Sequence, residues 1–595
     1  EIARWSPAGR WPVLFDDDRA TLLVRAFQPA QIVRRASVGE SLPTSGADLE
    51  RRLEQIIVTA FGGDPDVDGQ DALFARLDYT PPGVVIASTR DPAWTGALAI
   101  AAGRALPLTW LDDELPAIDA VLGADQASVL VRRVHAALDA TRLRWKSLGD
   151  EIDVIAFCRN APTRALVNLP PAARVTINQP GVEVKPEDPL ALTDVLGRAD
   201  DWSRAAFVGW MPGDESAAAY RAMCALFLPR SRVLLFNGYP VDGAWAAFDT
   251  TPAAEQLSAA GYDTMNVVAP EANTAGWLAT LTRGWSADIA LVNSSGNPDF
   301  FDLGNERLGV ADVPVLNRPL ALHFVHSWSL ARPATPATVG GRWLERGVYA
   351  YVGSAQEPFL SAFLPPVEFT RRIAAGVPFL PAGRQWMGVL SQPWRICTIG
   401  DPCFLAMPPS RDPRRFIDPP TFPTHGPGEN VLLLAKDAMR RAAEDRTGPA
   451  LAEAIQLLER AGQDQVAVQL WQQLSGAGLA PPIAPAALAA LGPLHLAGDA
   501  TAFVNAYELC LPNDALNRDR LWSLVLPTIR PETEANTILL LEGAIRPEQF
   551  LLDTRRLHDV ILRTKGREEA RRFIARMMER ANNPVMKDQV RAIGQ

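Results

Sequence analysis

His326 stands beside Ser327, and Ser329 lies three residues on, all at the end of an apolar run over 320–325; Ser295 follows another such run over 289–293. An imidazole can take the proton of a hydroxyl and turn it into a nucleophile for acyl transfer. Adjacent strand residues point to opposite faces, so His326 and Ser327 form a dyad only where the strand has already turned. A Ser295–His326 pair across neighbouring strand ends is the open arrangement, with His326 as base. The plainer reading has His326, Ser327 and Ser329 satisfying one another and the backbone at a buried strand end. Glu357 and Asp401 close two further strands, as an acidic pocket for a basic peptide or as loop caps.

Other chemistries find less support. The five cysteines are scattered, and Cys397 and Cys403, which flank the Gly400-Asp401-Pro402 turn, are read as free thiols or as a pair in an oxidising compartment. The histidines are isolated and no Cys/His group has ligand spacing, so no metal is expected. No Gly-x-Gly-x-x-Gly follows a strand, so no dinucleotide or other cofactor is expected. The tryptophans (Trp5, Trp11, Trp202, Trp210, Trp277, Trp285) read as core packing or as stacking surfaces for carbohydrate or peptide.

Strands and helices must position these residues. A β-branched run over 83–88, a helix over 93–103 and a strand over 107–111 make a βαβ unit, and hence a parallel sheet. A second α/β series starts near 150, with strands over 153–157, 205–209, 232–236, 289–293, 320–325, 348–352 and 395–399. Prolines from Pro408 to Pro427 forbid a helix there, and helical periodicity follows in pieces ended by Gly or Pro. The expected layout is a Rossmann-like α/β domain over 1–149, a parallel α/β sheet domain over 150–407, a Pro-rich linker over 408–429 and an all-α, solenoid-like domain of tetratricopeptide kind over 430–595.

The 595 residues are 48% hydrophobic and 21% charged, enough apolar surface for several cores. A net charge of -10, without a run of five or six Lys/Arg, argues against a nucleic-acid partner. No stretch of 18 uncharged apolar residues marks an integral membrane segment. The chain begins at Glu1 rather than Met, which reads as removal of a leading segment and keeps an exported or cell-envelope location open beside a cytoplasmic one.

Four segments in order carry a resemblance: Asn293-Ser294-Ser295-Gly296-Asn297-Pro298, then Phe324-Val325-His326-Ser327-Trp328-Ser329, then Trp343 through Pro358 with its Gly347-Val348-Tyr349-Ala350-Tyr351-Val352-Gly353-Ser354 stretch, and last Ile399-Gly400-Asp401-Pro402. Their order is similar to that of gingipain-like peptidases and their caspase and separase relatives, over about 170 residues. That family places a His-Gly after one parallel strand and a Cys after the next. Here the first position is Ser295 and the second falls on Ser327 or Trp328, so the thiol and its base are both missing. The resemblance implies a pseudo-peptidase that serves as a binding or scaffold component for a protein partner or a homo-oligomer. A hydrolase using Ser295 or Ser327 with His326 is the alternative. The segment 84–111 also resembles bacterial cell-wall-binding repeats, which implies a cell-envelope structural protein as a third reading.

Overall fold

Runs such as Gly83–Ala87, Ile289–Asn293 and Leu320–Val325 are apolar apart from Asn293 and His323, without alternation, and every residue in them is buried, as parallel strands covered on both faces require. The computed structural model describes residues 12–29, 31–32, 43, 46–170, 173, 188–386, 388, 391–406, 429–476, 478 and 480–595. In chain order the strands used below are β1 (Gly83–Ala87), β2 (Leu108–Trp110), β3 (Val154–Cys158), β4 (Phe207–Trp210), β5 (Arg232–Asn237), β6 (Asp263–Val267), β7 (Ile289–Asn293), β8 (Ser295–Asn297), β9 (Phe300–Leu303), β10 (Glu306–Gly309), β11 (Leu320–Val325), β12 (Val348–Ser354) and β13 (Ile396–Ile399).

All but β8–β10 join in one 10-stranded sheet, ordered β6-β5-β7-β11-β12-β13-β4-β3-β1-β2. Every neighbouring pair is parallel except β12/β13. Two parallel blocks running in opposite directions therefore meet at that seam. The boundary expected at 149/150 falls inside one block, because β1 pairs with β3 residue by residue from Gly83↔Val154 to Ala87↔Cys158. The helix Ala124–Ala140 that precedes this position is the crossover from β2 to β3 rather than the end of a unit.

Alternation along each strand feeds two apolar layers. Val85, Leu235, Leu291 and Ala321 pack with the helices Trp94–Arg104, Glu215–Phe227 and Pro366–Ala374 on one face. Val84, Leu234, Val292 and Phe324 pack with Ala124–Ala140, Thr274–Leu281 and Val339–Glu345 on the other. The strands β8–β10, inserted in the chain between the paired β7 and β11, form a separate antiparallel ribbon.

The expected linker lies outside the described residues apart from Glu429, which with Asn430 pairs with Gln31–Ile32. Among the described residues the rest of the chain is helical, from Val431–Asp445 to Pro584–Ile593. Side chains of Thr447, Asp499, Asp514 and Asn583 cap four of these helices at their N-termini. The array is bolted to the sheet by buried charge: Asp519 is shared by Arg342, Arg346 and Arg546, and Arg546 also grips Asp553 with Nε and a terminal nitrogen at 2.8 and 2.7 Å. On another side Arg25 meets Asp464 at 2.6 Å and Arg460 meets Asp16 at 2.8 Å. No helix among the described residues is long and apolar enough to cross a membrane.

Candidate functional site

The strand ends of β7 and β11 lie side by side, with Asn293 opposite Val325. One residue further on, Ser294 and His326 project from the same face, and Ser294 Oγ lies 3.0 Å from His326 Nδ1. The hydroxyl that meets the imidazole is thus that of Ser294, while Ser295 is exposed on β8. His326 Nε2 lies 3.1 Å from the carbonyl oxygen of Asn297, which can only accept, so Nε2 carries the proton. In the neutral ring Nδ1 is then the acceptor, and Ser294 donates to it.

The pair is sealed. Ser294 is 0% and His326 1% exposed. Burial holds the imidazole well below its ordinary pKa, at about 4, against a smaller opposing pull from the carbonyls of Asn297 and Ser295. The ring stacks on Phe324 with centroids 4.8 Å apart. Gly296 closes the other side at φ 147°, where a Cβ would stand 2.7 Å from His326 Cε1 and 2.9 Å from Phe301 Cα. Tyr239 OH donates to the Ser294 carbonyl at 2.7 Å, and Asn293 bonds Asn237 at 2.9 Å beside it. Geometrically His326 can act as a base toward Ser294, yet no substrate carbonyl reaches that hydroxyl in this conformation.

The remaining expectations divide. Ser327 is half-buried and the turn is completed by Trp328 at φ 64°, so neither pairs with His326 as a strand neighbour. Ser329 Oγ accepts from the Ser354 amide at 3.1 Å, and Ser354 Oγ donates to the His326 carbonyl at 2.7 Å; these serines brace β11 against β12. Glu357 and Asp401 share no pocket. Because β13 runs antiparallel to β12, pairing Ser354 with Ile396 and Tyr351 with Ile399, Asp401 emerges at the opposite end of the strands from Glu357. At that opposite end of the strands, not at an edge strand, Asp401 is fully buried and bound by Arg104 Nε at 2.8 Å, while Glu357 accepts from the Phe359 amide at 3.1 Å. All five cysteines are free thiols. Trp210, Trp277 and Trp285 are buried, and Trp5 and Trp11 lie outside the described residues.

A polar centre without any sequence motif lies beside β13. Asp194, fully buried, is bonded by Arg198 at 3.0 Å, Arg204 at 2.9 Å and Arg384 at 2.8 Å, and Arg384 also donates to Thr398 on β13. Burial opposes ionisation, but the three guanidiniums win and hold this carboxyl far below the usual range. Among the described residues no three or more His, Cys, Asp or Glu converge as a metal would need. The chain matches no family model and no curated protein.

Proposed function

We propose that this chain is a non-catalytic, caspase-like and gingipain-like protein acting as a binding or assembly component, with its tetratricopeptide-like helical array as the partner-binding surface. The observation that carries this reading is the state of the imidazole nearest the positions where the resemblance puts nucleophile and base. His326 is buried, neutral and occupied by Ser294 and Asn297. Supporting it, the four resembling segments fall on β7, β11, β12 and β13, consecutive neighbours in one sheet. The first parallel block, β1–β4, has the Rossmann-like alternation of strand and helix. Incubation with fluorophosphonate and chloromethyl-ketone probes tests it: no covalent adduct is expected on the native chain, and a native mass above that of one chain is expected on a sizing column.

The alternative is a hydrolase whose nucleophile is Ser294, favoured by the 3.0 Å contact with His326 Nδ1. Its mark is a fluorophosphonate adduct on Ser294 that His326→Gln removes.

A further inference from the structure

The ribbon β8–β10 touches the Ser294–His326 pair at one end and the helical array at the other, and its register lines the two ends up. Gly309 pairs with Phe300, and Phe300 with Asn297, whose carbonyl takes the Nε2 proton of His326. On the next rung Leu308 pairs with Phe301, and Phe301 with Gly296, the residue packed on His326 Cε1. Beside Gly309 there is no room, since a Cβ would stand 3.0 Å from the Cβ of Gln549. Gln549 Oε1 accepts from the Ala311 amide at 3.0 Å, and its Nε2 donates to Asp553 at 2.8 Å. Next to it, Asp312 is held by Arg556 at 2.8 Å.

A second line runs in parallel. The amide of Val339 donates to the Pro298 carbonyl at 2.7 Å, one residue from Asn297. Val339 opens the helix Val339–Glu345, whose Arg342 binds Asp519 and Glu548 of the array.

We propose that the ribbon couples the two ends: while the array is docked through Gln549 and Arg342 the ribbon stays closed over His326, and displacement of the array opens it. Cross-strand hydrogen bonds make a three-stranded ribbon move as a unit, so a shift at Gly309 reaches Asn297 across two strand pairings. Densely packed contacts such as those of Gly296 and Gly309 switch between discrete arrangements rather than stretch. A partner that binds the array and moves it thereby uncovers a hydroxyl–imidazole pair, whichever family the sheet belongs to.

The test uses the full chain and two readouts, hydrogen exchange over 294–303 and diethylpyrocarbonate modification of His326 read by mass spectrometry. Gln549→Ala and Gly309→Ala should each speed both at least tenfold. Arg576→Ala, which breaks the bidentate contact to Glu542 elsewhere in the array, should leave both at the native rate. Should Gln549→Ala fail to fold, Gly309→Ala and Arg556→Met carry the measurement. Acceleration confined to 309–312 and 546–556 overturns the proposal, and so does an equal acceleration in Arg576→Ala.

Discussion

Ser294 and His326 face each other from adjacent parallel strands, hydroxyl to imidazole at 3.0 Å, with neither side chain open to solvent. Four expected outcomes follow from this pair and from the charges that hold the fold around it.

Ser294→Ala removes the donor to Nδ1 and leaves a buried acceptor unmet, which costs about 1–3 kcal/mol. Urea unfolding should show that loss, whereas Ser327→Ala, at a half-buried turn position, should unfold within about 0.5 kcal/mol of the native chain.

Acid should destabilise the protein as the pH falls below the ordinary histidine range. His323, His326 and His495 are buried, and burial depresses their folded pKa values to about 3, about 4 and about 3. The unfolded chain therefore binds these protons first, near pH 6.5, and stability present above that pH is lost as it falls toward 4. Each site contributes on the order of 3 kcal/mol over the window. His323, stacked on Phe369 with both ring nitrogens unpartnered, makes the cleanest check. In His323→Leu the unfolding midpoint should be at least as high at pH 8 as in the native chain, and should fall less between pH 7 and 5.

Gly296→Ala combines a strained φ with a clash against His326 and Phe301. A loss of about 2–4 kcal/mol is expected in thermal or urea unfolding.

Asp519→Ala strips the counter-charge from Arg342, Arg346 and Arg546. Removing one side of a buried ion network costs about 3–5 kcal/mol. Calorimetry should then resolve an earlier transition for the helical array, and limited proteolysis should cut between the array and the sheet. Asp194→Ala should cost at least as much, but within the sheet's own transition.

Much of the sheet was readable from the chain, because buried parallel strands appear as unbroken apolar runs and crossover helices separate them. Position 149/150 lies inside one parallel block, and a crossover helix such as Ala124–Ala140 looks in sequence the same as the end of a domain. The hydroxyl that meets His326 is that of Ser294, one residue before Ser295, for a local reason. Parity along β7 and β11 puts Ser294 with Val292, and His326 with Phe324, on one face, whereas the family resemblance drew attention to Ser295 and Ser327. The Asp194 centre gathers residues from 194 to 384, and no local pattern announces a contact set of that span. The separation of Glu357 from Asp401 turned on the direction of β13, which strand-by-strand reading does not reveal.

The seam between β12 and β13 also orders events during synthesis. By direction β13 belongs with β1–β4, yet it is translated after the whole second block. As the chain emerges, β4 has β3 on one side and an open hydrogen-bonding edge on the other until residues 396–399 arrive. A ribosome-bound or truncated chain ending between β4 and β13 thus carries an apolar strand with an unsatisfied edge, the kind of surface that invites pairing with another nascent chain or capture by a chaperone.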